Sequence, residues 1–504
     1  MSFPCKNSLL GISFFVLTST ISGCISTHGI APEAQRVDAD TLATDDAIRA
    51  AKLDAQWPAS QWWRAYRDPQ LDRWIAEALT SNPSLAAAAA RVRSAKAMAG
   101  LVESAEAPHV NGSVDLRRYT WPTDNFYGPG ELSDRTTWNN TASLGLSYKL
   151  DFWGREHDDS ERALDRAHQA AAEERVAVLE LTTNIVRAYI QLSLQYAQRD
   201  VAQATLDQQE QIAKLAKRQL EGGIGTQFEV SQAEALLPET HRQIEALDEA
   251  IALSRNQLAA LAGKGPGDAA SLTRPQLQLG AMPTLPSRLP LELVGHRPDV
   301  VASRWQVAMN AKGVDVARAD FYPNIDLMAS IGQSMTMGTF KELFTAKKTG
   351  YSFGPAISLP IFDGGERRSQ LGIASAGYDA AVAHYNQTII EALKDISDNL
   401  IRLDSANKQA DMARESVEAA QRTYDIARKA FERGLTDYLH VLDAQTRLFA
   451  QQRVEQQVQA MRLSAQAGLI TALGGGAIAP EDGPDEKDLK PARVDIAKKA
   501  LRPS

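Results

Sequence analysis

The chain has 504 residues, and 62 acidic side chains against 54 basic ones leave a net charge of −8 and a pI near 5.6. That balance argues against nucleic acid as a partner. The chain has two cysteines, and its eight histidines are scattered without metal-ligand spacing. Walker, GxSxG and HExxH motifs are lacking, so an enzyme reading finds little to stand on and no cofactor is expected.

The N-terminus has the pattern of an export signal over 1–23. Lys6 supplies charge, and Leu9 to Thr18 form an apolar run shorter than the roughly 20 residues that span a bilayer. Ile21-Ser22-Gly23-Cys24 resembles a bacterial lipobox. Cys5 would leave with the signal, so the mature chain would keep one cysteine, and acylation of Cys24 accounts for it. Ile25 is not the Asp that retains lipoproteins at the enterobacterial inner membrane, which favours delivery to the outer membrane. No later apolar run reaches the length of a membrane helix, so any crossing must be made by strands.

The rest of the chain reads as one unit written twice. Pro108-His109-Val110-Asn111 recurs as Pro323-Asn324-Ile325-Asp326, and Leu150-Asp151-Phe152-Trp153-Gly154 as Pro360-Ile361-Phe362-Asp363-Gly364. Gly223-Ile224-Gly225-Thr226 recurs as Gly434-Leu435-Thr436-Asp437. A period of roughly 210 residues is too long for a solenoid and reads as duplication of a large half-structure. After a segment over 24–80, repeat 1 is expected over 81–275 and repeat 2 over 276–476, with a flexible tail over 477–504.

Each repeat should hold two strands and a helical hairpin. Residues alternate with period two over roughly 109–119, 137–151, 324–334 and 351–361. Val110, Gly112, Val114 and Leu116 face one way; Asn111, Ser113 and Asp115 face the other. Such strands suit an outer-membrane barrel, apolar toward lipid and polar toward the lumen, although a soluble sheet with one wet face alternates likewise. Tyr119, Trp121, Trp138, Tyr351 and Phe353 sit where an interfacial girdle would lie. Four strands cannot close a barrel, and an open edge is not tolerated in lipid, so chains must pool strands; three would give twelve.

Helical hairpins are expected over roughly 155–262 and 365–473. Their first arms, about 155–221 and 365–433, lack proline and would each run about 100 Å. Ile389, Ile396, Leu403, Ala410, Val417, Tyr424 and Phe431 recur every seven residues, which implies left-handed supercoiling. Each arm reaches a glycine turn, Gly222-Gly223 or Gly434, and returns.

Together these residues resemble the outer membrane factor family, the TolC-like ducts, and within it the lipoprotein efflux branch of NodT and OprM. The resemblance covers essentially the whole mature chain. It rests on Trp62-Trp63, Asp68-Pro69-Gln70-Leu71, Asn82-Pro83-Ser84-Leu85, Arg297-Pro298-Asp299-Val300, Val441-Leu442-Asp443-Ala444-Gln445 and Gly474-Gly475-Gly476, all in order. It implies a homotrimer in outer-membrane lipid, with a twelve-stranded β-barrel continuous with a periplasmic α-helical barrel. It further implies a periplasmic adaptor and an inner-membrane pump, of the RND type, as partners. The family closes its tip just past the second glycine turn; Asp443 falls on one gate acid and Leu439 on the apolar constriction. His440 stands where a second acid occurs in the TolC type, and Arg447 is placed to pair with Asp443. Gly222, Gly223, Gly434 and Leu435 are the implied adaptor contacts, with a structural helix cap as the other reading. Small-molecule efflux is the function implied; a duct for secreted protein (type I) and a structural coiled-coil lipoprotein are the alternatives.

Overall fold

The computed structural model describes residues 27, 29–38, 41–50, 58–122, 135–278, 295–335, 349–476, 484 and 487–491. The signal, Cys24, most of both inter-strand loops and most of the tail lie outside the described residues.

Two short helices, α1 (Pro69–Ser81) and α2 (Pro83–Glu103), lead into strands β1 (His109–Thr120) and β2 (Thr136–Lys149). The long helix α3 (Arg155–Glu221) follows, then α4 (Gln227–Ala235) and α5 (Leu237–Leu261). The second half repeats the order with α6 (Pro298–Ala319), β3 (Asn324–Met335), β4 (Thr349–Ser358), α7 (Glu366–Glu432) and α8 (Tyr438–Ala472). The two long helices have the same length, 67 residues, about 100 Å each at 1.5 Å per residue. The halves differ in their return arms. A single helix is expected from the sequence over 226–262, but Pro238, which has no N–H for a carbonyl of the preceding turn, divides it into α4 and α5.

The strands form one antiparallel sheet in the order β1-β2-β3-β4. Its register runs without a bulge, so the alternation in sequence becomes two chemically distinct faces. On one face Val110, Leu146, Ala329 and Phe353 form a row across all four strands, and Gly112, Leu144, Ile331 and Tyr351 form the next. On the other face Ser113 bonds Ser143 at 2.9 Å and Ser330 bonds Ser352 at 2.8 Å. Most of the apolar face is bare, with Val114 69%, Phe353 74% and Tyr351 87% exposed, although the paired Asn140 and Met335 toward its far end are buried. A soluble sheet would bury that face against a second layer, which none of the helices provides here.

One expectation fails on this sheet. Trp138, Tyr351 and Phe353 sit on the apolar face, but Tyr119 pairs with Thr137 and belongs to the polar one. Trp121 follows it, packing edge-on against Tyr119 at 4.7 Å and donating from Nε1 to the Thr137 hydroxyl. A one-residue step changes the face, so aromatic content alone misplaced them.

The core lies where helices of both halves meet. α7 buries its seven-residue stripe, Ile389, Ile396, Leu403, Ala410, Tyr424 and Phe431, largely along α8. Alanines 392, 406 and 413 on the companion seam are buried too, which lets the backbones approach. Buried Trp62, Trp63 and Tyr66 pack beside α1 on the middle of α3. Part of the tail also docks: Leu489 is buried, and its carbonyl accepts from the Tyr378 hydroxyl at 2.9 Å. The flexibility expected of the tail therefore does not extend to that residue.

Matching seams close the two halves. Just past the ends of α5 and α8 stand Gly263 and Gly474, both in the left-handed region. Each bonds back in the six-residue loop that satisfies a helix's last carbonyls: Lys264 N–H to Ala259 O, and Gly475 N–H to Ile470 O. A Cβ on Gly263 would stand 2.7 Å from Ser81 O, and one on Gly474 2.7 Å from His296 O. Beside these approaches, Asn82 donates to Leu261 O at 2.7 Å and Arg297 to Ala472 O at 3.0 Å. The Asn-Pro and Arg-Pro motifs are thus equivalent clasps joining the start of each repeat to its end. Gly474→Ala should destabilise the protein by about 2–3 kcal/mol, since left-handed strain adds to a backbone clash. Gly434→Ala, with open space around it, should cost about 1 kcal/mol; comparing their unfolding midpoints tests the clasp.

Candidate functional site, the tips of the helical hairpins

The end of the molecule farthest from the sheet is made by two turns. At the first, Gly223 takes φ 75° after α3; at the second, Gly434 takes φ 68° after α7. Both are Schellman caps. Gly223 N–H bonds Leu220 O and Ile224 N–H bonds Gln219 O; Gly434 N–H bonds Phe431 O and Leu435 N–H bonds Ala430 O. Gly222 remains in the right-handed helical region at φ −79°. The structural role of these glycines is therefore met in full.

The residues just past the glycines behave unusually. In this cap the following apolar side chain usually folds back onto the helix. Here Ile224 is 78% exposed and Leu435 75%, and one turn further Phe228 is 65% and Leu439 50% exposed. The two turns thus present equivalent apolar pairs to the outside. Only Leu435 and Leu439 stood out from the sequence; Ile224 and Phe228 follow once the repeats are aligned.

The return helices begin with side-chain caps. Thr226 and Glu229 form a reciprocal capping box on α4, the Thr-x-x-Glu pattern being legible in the sequence. On α8 the equivalent cap is Asp437, which accepts from His440 N–H at 3.3 Å. His440 occupies the place of Glu229, and its Nδ1 lies 2.7 Å from Asp437 Oδ1. Bonds from the His440 side chain, then from its backbone N–H, hold the Asp437 carboxyl below the usual carboxylate range. Asp437 is the partner of His440 that the sequence reading does not single out.

α8 turns Tyr438, Val441, Ala444, Gln445 and Leu448 inward, where the tip core includes Phe431 of α7 and Ile212 of α3. Burial pushes the Tyr438 hydroxyl up to about 12. The opposite face carries Leu439, His440, Asp443 and Arg447 together, all exposed. Arg447 Nε donates to Asp443 Oδ2 at 3.0 Å. With the partners 72% and 64% exposed, such a pair is worth about 0.3–0.5 kcal/mol. One pair positions a carboxylate without locking a helix. Among the described residues no cluster of His, Cys, Asp and Glu could hold a metal within one chain, and Cys24 lies outside them.

The comparisons match this architecture. The family model described as outer membrane efflux protein matches residues 74–264 and 289–475, one block per repeat. The fusaric acid resistance protein FusA of Burkholderia cepacia is 50% identical over 377 residues, 75% of this chain and 71% of that protein. The multidrug resistance outer membrane protein MdtP of Escherichia coli is 30% identical over 480 residues, covering 93% of this chain and 96% of its own. The crystal structure of the outer membrane protein VceC from Vibrio cholerae superposes with a TM-score of 0.78 at 32% identity, covering 83% of this chain and all of that one. The bare apolar sheet, its unpaired edges and the long paired helices are those of a channel protomer, and the chain belongs to the outer membrane efflux protein family, with the fold of that family's trimeric outer-membrane channels.

Proposed function

We propose that this outer membrane efflux protein is the exit duct of a tripartite system, receiving small organic molecules from an inner-membrane pump of the RND type through a periplasmic adaptor. The observation that carries the reading is the pairing of two incomplete surfaces in one chain. At one end stands a four-stranded sheet fit only for lipid; about 100 Å away stand the apolar residues Ile224, Phe228, Leu435 and Leu439, bare in water. Unpartnered apolar groups at such a place mark an interaction site, and the glycine turns around Gly222, Gly223 and Gly434 are its frame. FusA, named for resistance to fusaric acid, makes a small aromatic acid the first cargo to test.

We further read residues 1–23 as a removed signal and Cys24 as the lipid attachment. The geometry of the next segment supports this. Asp379 of α7 accepts from Glu33 N–H at 3.0 Å and from Ala34 N–H at 2.9 Å. Farther down α7, Asn386 accepts from Val37 N–H at 2.9 Å. From Glu33 to Val37 the segment thus runs away from the sheet. Asp379 is thirteen residues below the start of α7, about 20 Å, whereas the nine residues from Cys24 to Glu33 reach up to about 30 Å. That length is sufficient for a lipid on Cys24 to reach the membrane in this reading. Cys24→Ser should abolish palmitate incorporation while trimers persist, because the barrel anchors the body independently; loss of trimers together with outer-membrane localisation would refute that independence.

At the tip, Asp443 serves in this reading as the gate carboxylate, Leu439 as the apolar constriction, His440 as a lumenal neighbour and Arg447 as the counter-ion of Asp443. Carboxylates of three protomers gathered at a narrow mouth attract cations and repel one another, a balance that partner contacts can tip. Asp443→Ala should change the leak conductance of the trimer in planar bilayers, upward; an unchanged conductance would leave Asp443 as a surface acid.

The function itself is tested on a deletion strain exposed to fusaric acid, dyes, detergents and several antibiotic classes, each with complementation. Hypersensitivity to particular compounds is expected and identifies the cargo class. An unchanged panel together with a depleted secreted proteome would favour protein export instead.

A further inference from the structure

The apolar face of the sheet carries one charge that breaks its pattern. Following β1 along that face, Val110, Gly112, Val114 and Leu116 lead to Arg118, which pairs across the ladder with Trp138. Its neighbour Arg117 points to the polar face, where it bonds Asp115 at 2.6 Å. Arg118 is exposed and has no hydrogen-bond or ion-pair partner among the described residues. Two adjacent arginines thus meet different surroundings, one paired with Asp115 on the polar face and one on the opposite face, across from Trp138 and between Leu116 and Thr120, where the apolar row gives way to threonines.

The level of Arg118 defines what it meets. Eight residues separate it from Val110, about 26 Å along the strand and about 20 Å of height at the usual tilt. That places it near the rim of an apolar band roughly 25 Å tall, at the end away from the helices. A guanidinium is costly at the middle of a bilayer but readily accommodated at its rim, where headgroups are in reach. The ring of Trp138 across the ladder suits the same interfacial level. The exterior end of an outer-membrane barrel meets the outer leaflet, and a planar fork of N–H donors fits a phosphate bidentately.

We propose that Arg118 and Trp138 form an outward-facing site for a phosphorylated glycolipid headgroup of the outer leaflet, one per protomer. The inference rests on the outer-membrane barrel. Arginine supplies the charge-assisted contact to phosphate, tryptophan packs at the boundary with the acyl chains, and the three sites fix the height of the barrel in the membrane.

The test uses purified full-length trimer and three probes: lipid A with its phosphates, the same lipid after dephosphorylation, and inorganic phosphate. Native mass spectrometry reads bound lipid, and the heat-dissociation temperature of the trimer reads its effect. The wild type should retain phosphorylated lipid A roughly tenfold better than the dephosphorylated form, the scale of one lost charged contact. Arg118→Gln should erase that preference, Arg118→Lys should keep part of it, and Arg117→Gln should leave it intact. Equal retention of the two lipids by the wild type, or an undiminished preference in Arg118→Gln, overturns the site. Protection by inorganic phosphate alone overturns the lipid assignment in favour of a free-anion site. A Val114→Cys variant labelled by a membrane-partitioning maleimide checks the outward face separately; absence of labelling would overturn the barrel orientation and the proposal with it.

Discussion

Hydrocarbon leaves no hydrogen-bond partner for an exposed peptide group, and the organisation of this molecule follows from that constraint. The sheet has four strands and two unpaired edges, those of β1 and β4. Each edge N–H and C=O left in lipid would cost several kcal/mol, more in sum than a domain's whole stability. The chain therefore cannot be a finished membrane protein alone. Duplication gives each chain two strand pairs in one continuous sheet, and pooling three chains joins β4 of one to β1 of the next until no edge remains.

Below the sheet the problem changes, because water now solvates the backbone and only packing can hold a long helix in place. α7 has seven-residue apolar spacing on the face toward α8, which keeps the seam in contact along a left-handed path. The alanines of its second seam contribute little burial each but permit close approach. Rigidity across the middle comes from elsewhere. The Asn82 and Arg297 clasps tie each repeat's entry to its exit through main-chain carbonyls, and Gly263 and Gly474 make room for that contact. A duplicated clasp suggests that the half-structure was already closed on itself before the two copies were joined.

Much of this was legible because two periodicities and a repeat were superimposed on one sequence. The period-two segments gave the strands, the proline-free stretches gave α3 and α7, and the heptad of α7 named the buried stripe. What failed did so for local reasons. Tyr119 and Trp121 were assigned by composition, whereas register decides the face. The break at Pro238 was missed because a helix can tolerate proline in its first turn, and nothing before it announced a new start. Leu489 lies in a tail whose composition looked unstructured, yet its buried side chain and the carbonyls of Pro484 and Leu489, which accept from Arg304 and Tyr378, dock it on α6 and α7. At the tip the glycines were legible as caps, while the Asp437–His440 pair was not, because the resemblance directed notice to His440 as a departure and not to the side chain that holds it.

That pair marks where the two copies of the duplicated turn differ. The two turns share backbone geometry, apolar residues at the same two places and a side-chain cap at the same step, so a trimer would present six similar tips. Their capping chemistry differs. The first uses Thr226 with Glu229, whose carboxylate faces its own helix start and is spent on the cap. The second moves the acid to the cap itself, Asp437, and frees the third position for an imidazole. Beyond it, α8 exposes Asp443 and Arg447 where the first hairpin has Gln232 in α4 and Leu236 at that helix's C-cap in the aligned positions. The two tips thus share one shape but not one charge pattern: the first carries the Lys217–Glu234 pair and the second the Asp443–Arg447 pair, so copies of a single fold have diverged in chemistry while their backbone caps stayed the same.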